Sequence, residues 1–162
     1  NKYKDILARM SSNTKETMDK MGDIIWMIKP GETEAGSLRQ RMERFAYEIC
    51  GIKNIVLNLQ LKDLEKWKPD IEQRKNVYLL FKEALNNAVK YSGTQKINIS
   101  AGIENSILQL EIRDFGKGFA IKDIQPGNGL DNMHHRAKEL KAELEINSVK
   151  DEGTSVVLTV PV

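Results

Sequence analysis

Cysteine occurs once, at Cys50, and histidine only at His134 and His135, in a chain of 162 residues. A single thiol closes no intrachain disulfide. With no second cysteine and no clustered histidines there is no zinc-ligand set, which fits a reducing compartment and makes a cytoplasmic location the expectation. No wholly apolar run exceeds a few residues, against the roughly 20 needed to cross a bilayer, so no membrane span or membrane contact is predicted. Excess charge of one sign is also missing. Lys and Arg number 25 against 23 Asp and Glu, a formal net charge of +2, which excludes a polybasic arm or acidic tail and predicts no nucleic-acid partner. Low-complexity tracts, internal repeats, an initiator Met and a signal peptide are absent as well. The sequence opens within a helical pattern, as expected of a piece of a longer chain. What remains is 40% apolar and 30% charged, ordinary for a globular domain.

Residues 3–28 carry Leu7, Met10, Thr14, Thr17, Met21, Ile24 and Ile28 at alternating spacings of three and four. This is a heptad seam interrupted by two threonines and widened by Met18 and Ile25. A lone helix cannot bury such a stripe, so it needs other helices, either of its own domain or of a dimer bundle. Lys29-Pro30-Gly31 is expected to end it, and Glu32 to Gly36 reads as a linker with an N-cap at Thr33 or Ser37. The spacing predicts a second helix from about Ser37 to Cys50, with Leu38, Met42, Phe45 and Ile49 on one face. Arg39, Arg41, Glu43 and Arg44 point away, and Gly51 stops it. A third helix is expected from Pro69-Asp70 to Tyr91, with Pro near its first position. Period-two runs predict strands over 55–61, 96–101, 107–114, 143–149 and 154–160, with a helix over 130–140. Helices in one layer and a mixed, largely antiparallel sheet in the other make an α/β two-layer sandwich.

On the third helix, Glu83, Asn86, Asn87 and Lys90 fall within an arc of roughly 100°, opposite Val77, Phe81, Ala84, Leu85 and Ala88. A solvated surface face would look the same. Two adjacent asparagines in mid-helix, however, cost some tenths of a kcal/mol each relative to Ala, which a function would offset. An Asn oxygen can complete the shell of a Mg²⁺ otherwise held by phosphate and water, Lys90 would supply a charge for phosphate, and Glu83 could orient or deprotonate a nucleophile. Farther on, Asp114 ends a strand and is followed by Gly116 and Gly118, leaving a carboxylate beside backbone bare of side chains; a plain strand-to-loop turn shares that pattern. Gly127 and Gly129 stand directly before Leu130 and its helix, where free amides would face an anion at the positive end of the dipole. The third glycine of a dinucleotide fingerprint is missing, with Asn132 in its place. His134 and His135 diverge by about 100° on that helix and have no further ligands nearby, so surface or packing histidines are expected. Gly153-Thr154 opens the last strand.

In this order, Glu83-Ala-Leu-Asn-Asn-Ala-Val-Lys-Tyr-Ser92, Asp114-Phe-Gly-Lys-Gly-Phe119, Gly127-Asn-Gly-Leu130 and Gly153-Thr154 resemble the nucleotide-binding boxes of the sensor histidine kinase catalytic domain, within the GHKL ATP-binding superfamily. The resemblance covers about residues 37–162. Asp23-Ile-Ile-Trp-Met-Ile-Lys-Pro30 is similar to the end of the second dimerisation helix in the LytS/NarX/DesK-like group. The resemblance implies a Bergerat-type fold with ATP and Mg²⁺ as cofactors. Asn87 would ligate the metal, Lys90 would meet phosphate and Glu83 would assist transfer. Asp114 would accept from the adenine amine, Gly116, Gly118, Gly127, Gly129 and Leu130 would shape the nucleotide lid, and Thr154 would lie near adenine. Tyr91 stands where many relatives carry His and receives no catalytic role. A short lid between Phe119 and Gly127 is similar to the same group.

The family's phosphoacceptor histidine belongs on a first dimerisation helix, and residues 1–30 contain no His. The expected division is therefore a second bundle helix over 1–31 and an ATP-binding domain over 32–162. The expected function is a histidine protein kinase core that phosphorylates a histidine supplied elsewhere, for relay to a response regulator, as a homodimer through the N-terminal helix. An anti-sigma-factor serine kinase or partner-binding regulator is the alternative, although the heptad helix has no place there. ATPases of the chaperone or mismatch-repair kind need added domains.

Overall fold

The computed structural model describes residues 2–28, 37–120 and 128–162. The chain divides into two compact units, Asn1–Gly36 and Ser37–Val162. In the first, helix α1 spans Lys2–Ile28. Its seam is open to solvent, with Leu7, Met10, Met21, Ile24 and Ile28 all more than half exposed. The two threonines that interrupt the seam turn inward on their own helix. Thr14 Oγ1 donates to the Met10 carbonyl at 2.8 Å and Thr17 Oγ1 to that of Asn13 at 2.9 Å, so neither hydroxyl needs a partner from outside. Among the described residues no helix is long and apolar enough to cross a membrane. The expected linker and the Thr33 cap lie outside the described residues.

The second unit opens with α2, Leu38–Ile52. Ser37 is its N-cap. The Ser37 hydroxyl accepts from the Gln40 N–H at 3.3 Å while Gln40 Oε1 accepts from the Ser37 N–H at 2.9 Å, a reciprocal pair that satisfies two otherwise unpaired donors. Gly51 does not stop this helix. The chain turns at Asn54, φ 54°, and the Lys53 and Ile55 amides donate back to the Cys50 carbonyl at 3.2 and 2.9 Å. The buried stripe of α2 is Met42, Ala46 and Cys50, with the Phe45 ring meeting Phe81 edge to face at 6.2 Å. Arg41 does not point away as the spacing predicts. It is buried, with its guanidinium 5.7 Å from the centre of the Tyr78 ring, an arrangement that a helical wheel, blind to neighbouring helices, does not register.

Strand β1 spans Val56–Leu61 and a short 3-10 turn covers Leu64–Lys66. Helix α3 spans Ile71–Tyr91. Asp70 is its N-cap in a second reciprocal pair with Gln73, at 2.8 and 3.1 Å, so Pro69 precedes the cap rather than occupying the first helical position. Then come β2 (Lys96–Glu104), β3 (Ile107–Asp114), α4 (Asn128–Glu139), β4 (Glu143–Val149) and β5 (Gly153–Pro161). Helix α4 thus begins two residues before Leu130. Strand β2 runs past Ala101 because Asn105 and Ser106, both with positive φ, close a tight two-residue hairpin onto β3 whose twist suits the pair.

The five strands lie in the order β1-β2-β3-β5-β4, parallel between β1 and β2 and antiparallel elsewhere. Ile97, Ile99, Ala101, Leu108, Leu110, Ile112, Val156, Leu158 and Val160 are buried while the residues between them are mostly not. One face of the sheet is therefore covered, by α2, α3 and α4, in a two-layer α/β sandwich. The register sets Ser155 of β5 opposite Arg113 of β3, and Thr154 opposite Ser148 of β4. The end of β3 and the start of β5 thereby meet at one edge of the core, under the C-terminal half of α3.

Candidate functional site

A cavity of about 560 Å³ opens there, within the range of small-molecule sites. Helix α3 supplies one wall through Glu83, Asn87 and Tyr91, spaced by four so that they stack on one face. Its floor is Ile112, Ile146 and Val156, with Asp114, Thr154 and Lys117 to Phe119 also in the lining. Gly129, Leu130 and Met133 of α4 continue the lining beside α3.

Asp114 is 4% exposed. Its Oδ1 accepts the Gly116 N–H at 2.9 Å, and the Thr154 N–H also donates to the carboxylate. Burial pushes the Asp114 carboxyl above its ordinary value, against which those two amide donors act. A buried acid held by backbone on one side leaves its remaining acceptor capacity facing the cavity. Thr154 is fixed in turn by Ser148, whose hydroxyl lies 2.8 Å from Thr154 Oγ1 and accepts the Phe119 N–H at 2.9 Å.

The glycines have separate reasons. A Cβ on Gly116 would overlap the carbonyl oxygen of Ser92, where the Lys117 N–H also donates at 2.8 Å. That close approach stitches the loop after β3 to the end of α3. Gly116 itself does not line the cavity, whereas Gly118 does. A Cβ on Gly129 would come within 2.5 Å of Glu83 Oε1 and 3.5 Å of Asn87 Nδ2, so the start of α4 sits against the polar stripe of α3 and a side chain there would push the Glu83 carboxylate aside.

Of the residues singled out in the sequence, Glu83, Asn87, Asp114, Gly118, Gly129, Leu130 and Thr154 come together around this cavity. Lys90 does not join them: it is exposed and absent from the walls. Gly127 and the 121–127 stretch of the expected lid lie outside the described residues. Sequence reasoning passed over Lys117, an exposed cation of the cavity lining, whose backbone is held by Ser92 on one side and by the Asp151 N–H, at 2.7 Å, on the other. It also gave no role to Tyr91 and Met133, although each stands one turn beyond a named residue. His134 and His135 are exposed, and among the described residues no group of three or more His, Cys, Asp or Glu is placed to hold a metal.

Residues 72–162 match the family of histidine kinase-, DNA gyrase B- and HSP90-like ATPases. The chain belongs to that family. Within it, this ATPase-type domain is similar to the sensor histidine kinase LiaS of Bacillus subtilis, 27% identical over 91% of this chain and 40% of that protein. It is also similar to the sensor protein VraS of Staphylococcus saprophyticus, 34% identical over 68% of this chain and 34% of that protein. The chain thus spans well under half the length of these relatives. Among solved structures, a blue-light activated histidine kinase from Erythrobacter litoralis superposes with a TM-score of 0.73 at 20% identity, covering 93% of this chain and 49% of that one. Its histidine kinase domain alone gives a TM-score of 0.68 at 21% identity, over 80% and 63%. Family, relatives and fold identify a GHKL catalytic domain of the sensor histidine kinase group.

Proposed function

We propose that this domain binds Mg-ATP and donates the γ-phosphoryl group to a histidine carried outside these 162 residues, for relay to a response regulator. The observation that carries the reading is the polarity of the cavity. One end offers a buried carboxylate, Asp114, able to accept from the exocyclic amine of adenine. The other offers Glu83 and Asn87 against Gly129 at the N-terminus of α4, where phosphates are favoured. The donor set suits magnesium, which keeps its waters and substrate phosphates and needs only one or two protein oxygens. Asn87 Oδ1 would hold it, and the metal would neutralise charge on the phosphates. Lys117, exposed in the lining, adds positive charge to the approach. In the transfer, the bond from the γ-phosphorus to the bridging oxygen breaks as a bond to an imidazole nitrogen forms, Glu83 accepts the imidazole proton, and ADP leaves.

The open seam of α1, with its threonine hydroxyls satisfied within the helix, supports a homodimer through that helix in the longer protein.

The test uses γ-labelled ATP. The chain alone binds Mg-ATP and acquires no label; adding a helical segment bearing an acceptor histidine yields acid-labile phosphate. Acid-stable label on serine would favour a serine kinase instead. Stable label on His134 or His135 would overturn the need for an outside acceptor.

A further inference from the structure

On α3, Asn76, Glu83 and Asn87 follow at intervals of seven and four, so they lie on one stripe. On α4, Gly129, Met133 and Arg136 follow at intervals of four and three, again one stripe. The two stripes meet twice. At the cavity end Gly129 abuts Glu83; at the far end Arg136 Nη1 donates to Asn76 Oδ1 at 3.0 Å. Glu83 lies seven residues after Asn76, and Gly129 seven before Arg136. The two contacts are thus about 10 Å apart along each helix, and the helices run in opposite directions.

Asn76 is fully buried, and among the described residues its Nδ2 has no partner. A buried amide with half its capacity unmet costs free energy that an apolar side chain of similar size would not. Apolar contacts such as those of Met133 tolerate sliding and rotation, whereas a hydrogen bond to a single buried oxygen does not. Buried polar pairs are best attested as devices that fix register at some cost in stability.

We infer that the Asn76–Arg136 hydrogen bond is a register pin for α4, a positioning pair that holds the Gly129–Leu130 amides where a phosphate would meet them. This rests on the nucleotide reading above. Neither residue touches the ligand, so loss of the pin should weaken binding in proportion to the phosphates and leave adenosine unaffected.

The test compares Arg136→Met and Asn76→Leu with the conservative Asn76→Asp, which keeps an acceptor for Arg136. Affinities for ATP and adenosine are measured by calorimetry, and the Gly129 and Leu130 amide resonances are followed by NMR without ligand. The expected result is ATP affinity about tenfold weaker in the first two variants, adenosine affinity unchanged, both resonances displaced, and all three readouts near wild type in Asn76→Asp. Equal loss for ATP and adenosine, or unmoved resonances in folded Arg136→Met, would overturn the pin. Should the two apolar variants not fold, Arg136→Lys supplies the same comparison: weakened ATP binding with intact adenosine binding supports the pin, and parallel losses overturn it. If the wild-type domain binds neither ligand, the nucleotide reading fails and the resonances alone decide whether the register is held.

Discussion

Gly153 enters β5 directly against the backbone of Asp114: a Cβ at that position would overlap the Asp114 carbonyl oxygen and crowd the Phe115 Cα at 2.9 Å. Its φ of +97° disfavours any side chain besides. Gly153→Ala is expected to destabilise the domain by about 3 kcal/mol or more, from left-handed strain together with overpacking. Gly93, also at positive φ but with nothing within 4 Å, serves as the comparison. Gly93→Ala should cost about 1 kcal/mol. Thermal melts of the two variants giving equal losses would mean that the contact with Asp114 is relieved easily.

Asp114→Asn replaces a pure acceptor by an amide of the same shape. One charge-assisted hydrogen bond to the adenine amine is lost, worth about 1.5–3 kcal/mol. ATP affinity is expected to fall by ten- to a hundredfold on that scale, and GTP, against which wild type is expected to discriminate, should change little. Titration of both nucleotides checks this; equal weakening for both would make Asp114 a residue of the fold instead.

The same variant reads the linkage between Asp114 and pH. Burial raises its folded-state value above the ordinary carboxylate value, so between the two the folded protein binds more proton than the unfolded one. Stability from this group is full below about pH 4 and is lost as pH rises through the raised value. The melting temperature of wild type minus that of Asp114→Asn should therefore decline as pH rises above about 4 and level off beyond the raised value. A difference that grows with pH would mean an ionised Asp114 favoured in the fold.

Asn87→Ala separates a metal ligand from a surface asparagine. A ligand role predicts weaker ATP binding with Mg²⁺ and little change in chelator. A bare helix position predicts a gain of some tenths of a kcal/mol and undiminished binding. Calorimetry with and without Mg²⁺, beside melts of both proteins, tells them apart.

Much of the architecture was legible in the sequence because the apolar period changes from helical to alternating after Tyr91, and each strand from β2 onward shows that alternation. Legibility failed where a neighbour decides. Gly51 reads as a stop, yet Asn54 ends α2, since a glycine in a well-packed helix is tolerated at modest cost. Arg41 reads as solvent-facing until Tyr78 supplies a ring beneath it. Lys90 shares the arc of Glu83 and Asn87 on a helical wheel but sits on the solvent side of the Glu83–Asn87–Tyr91 row, turned away from Ala84 and Ala88, which line the cavity. Asp114 and Thr154, forty residues apart, become neighbours only through the antiparallel pairing of β3 with β5. Asn76 gave no signal, being one polar residue at a buried position whose partner lies sixty residues away.

The lone thiol of Cys50 is sealed beneath α2, 1% exposed, and burial pushes its pKa upward. In the closed state it is a poor nucleophile and out of reach of reagents. Alkylation of this domain is consequently a stopwatch for opening: every modified molecule is one in which α2 has lifted from the sheet. At reagent concentrations low enough for reclosing to win, the rate reports the free energy of that excursion without a denaturant, and nucleotide that grips only α3, α4 and the sheet would leave it running at an unaltered pace if α2 opens alone.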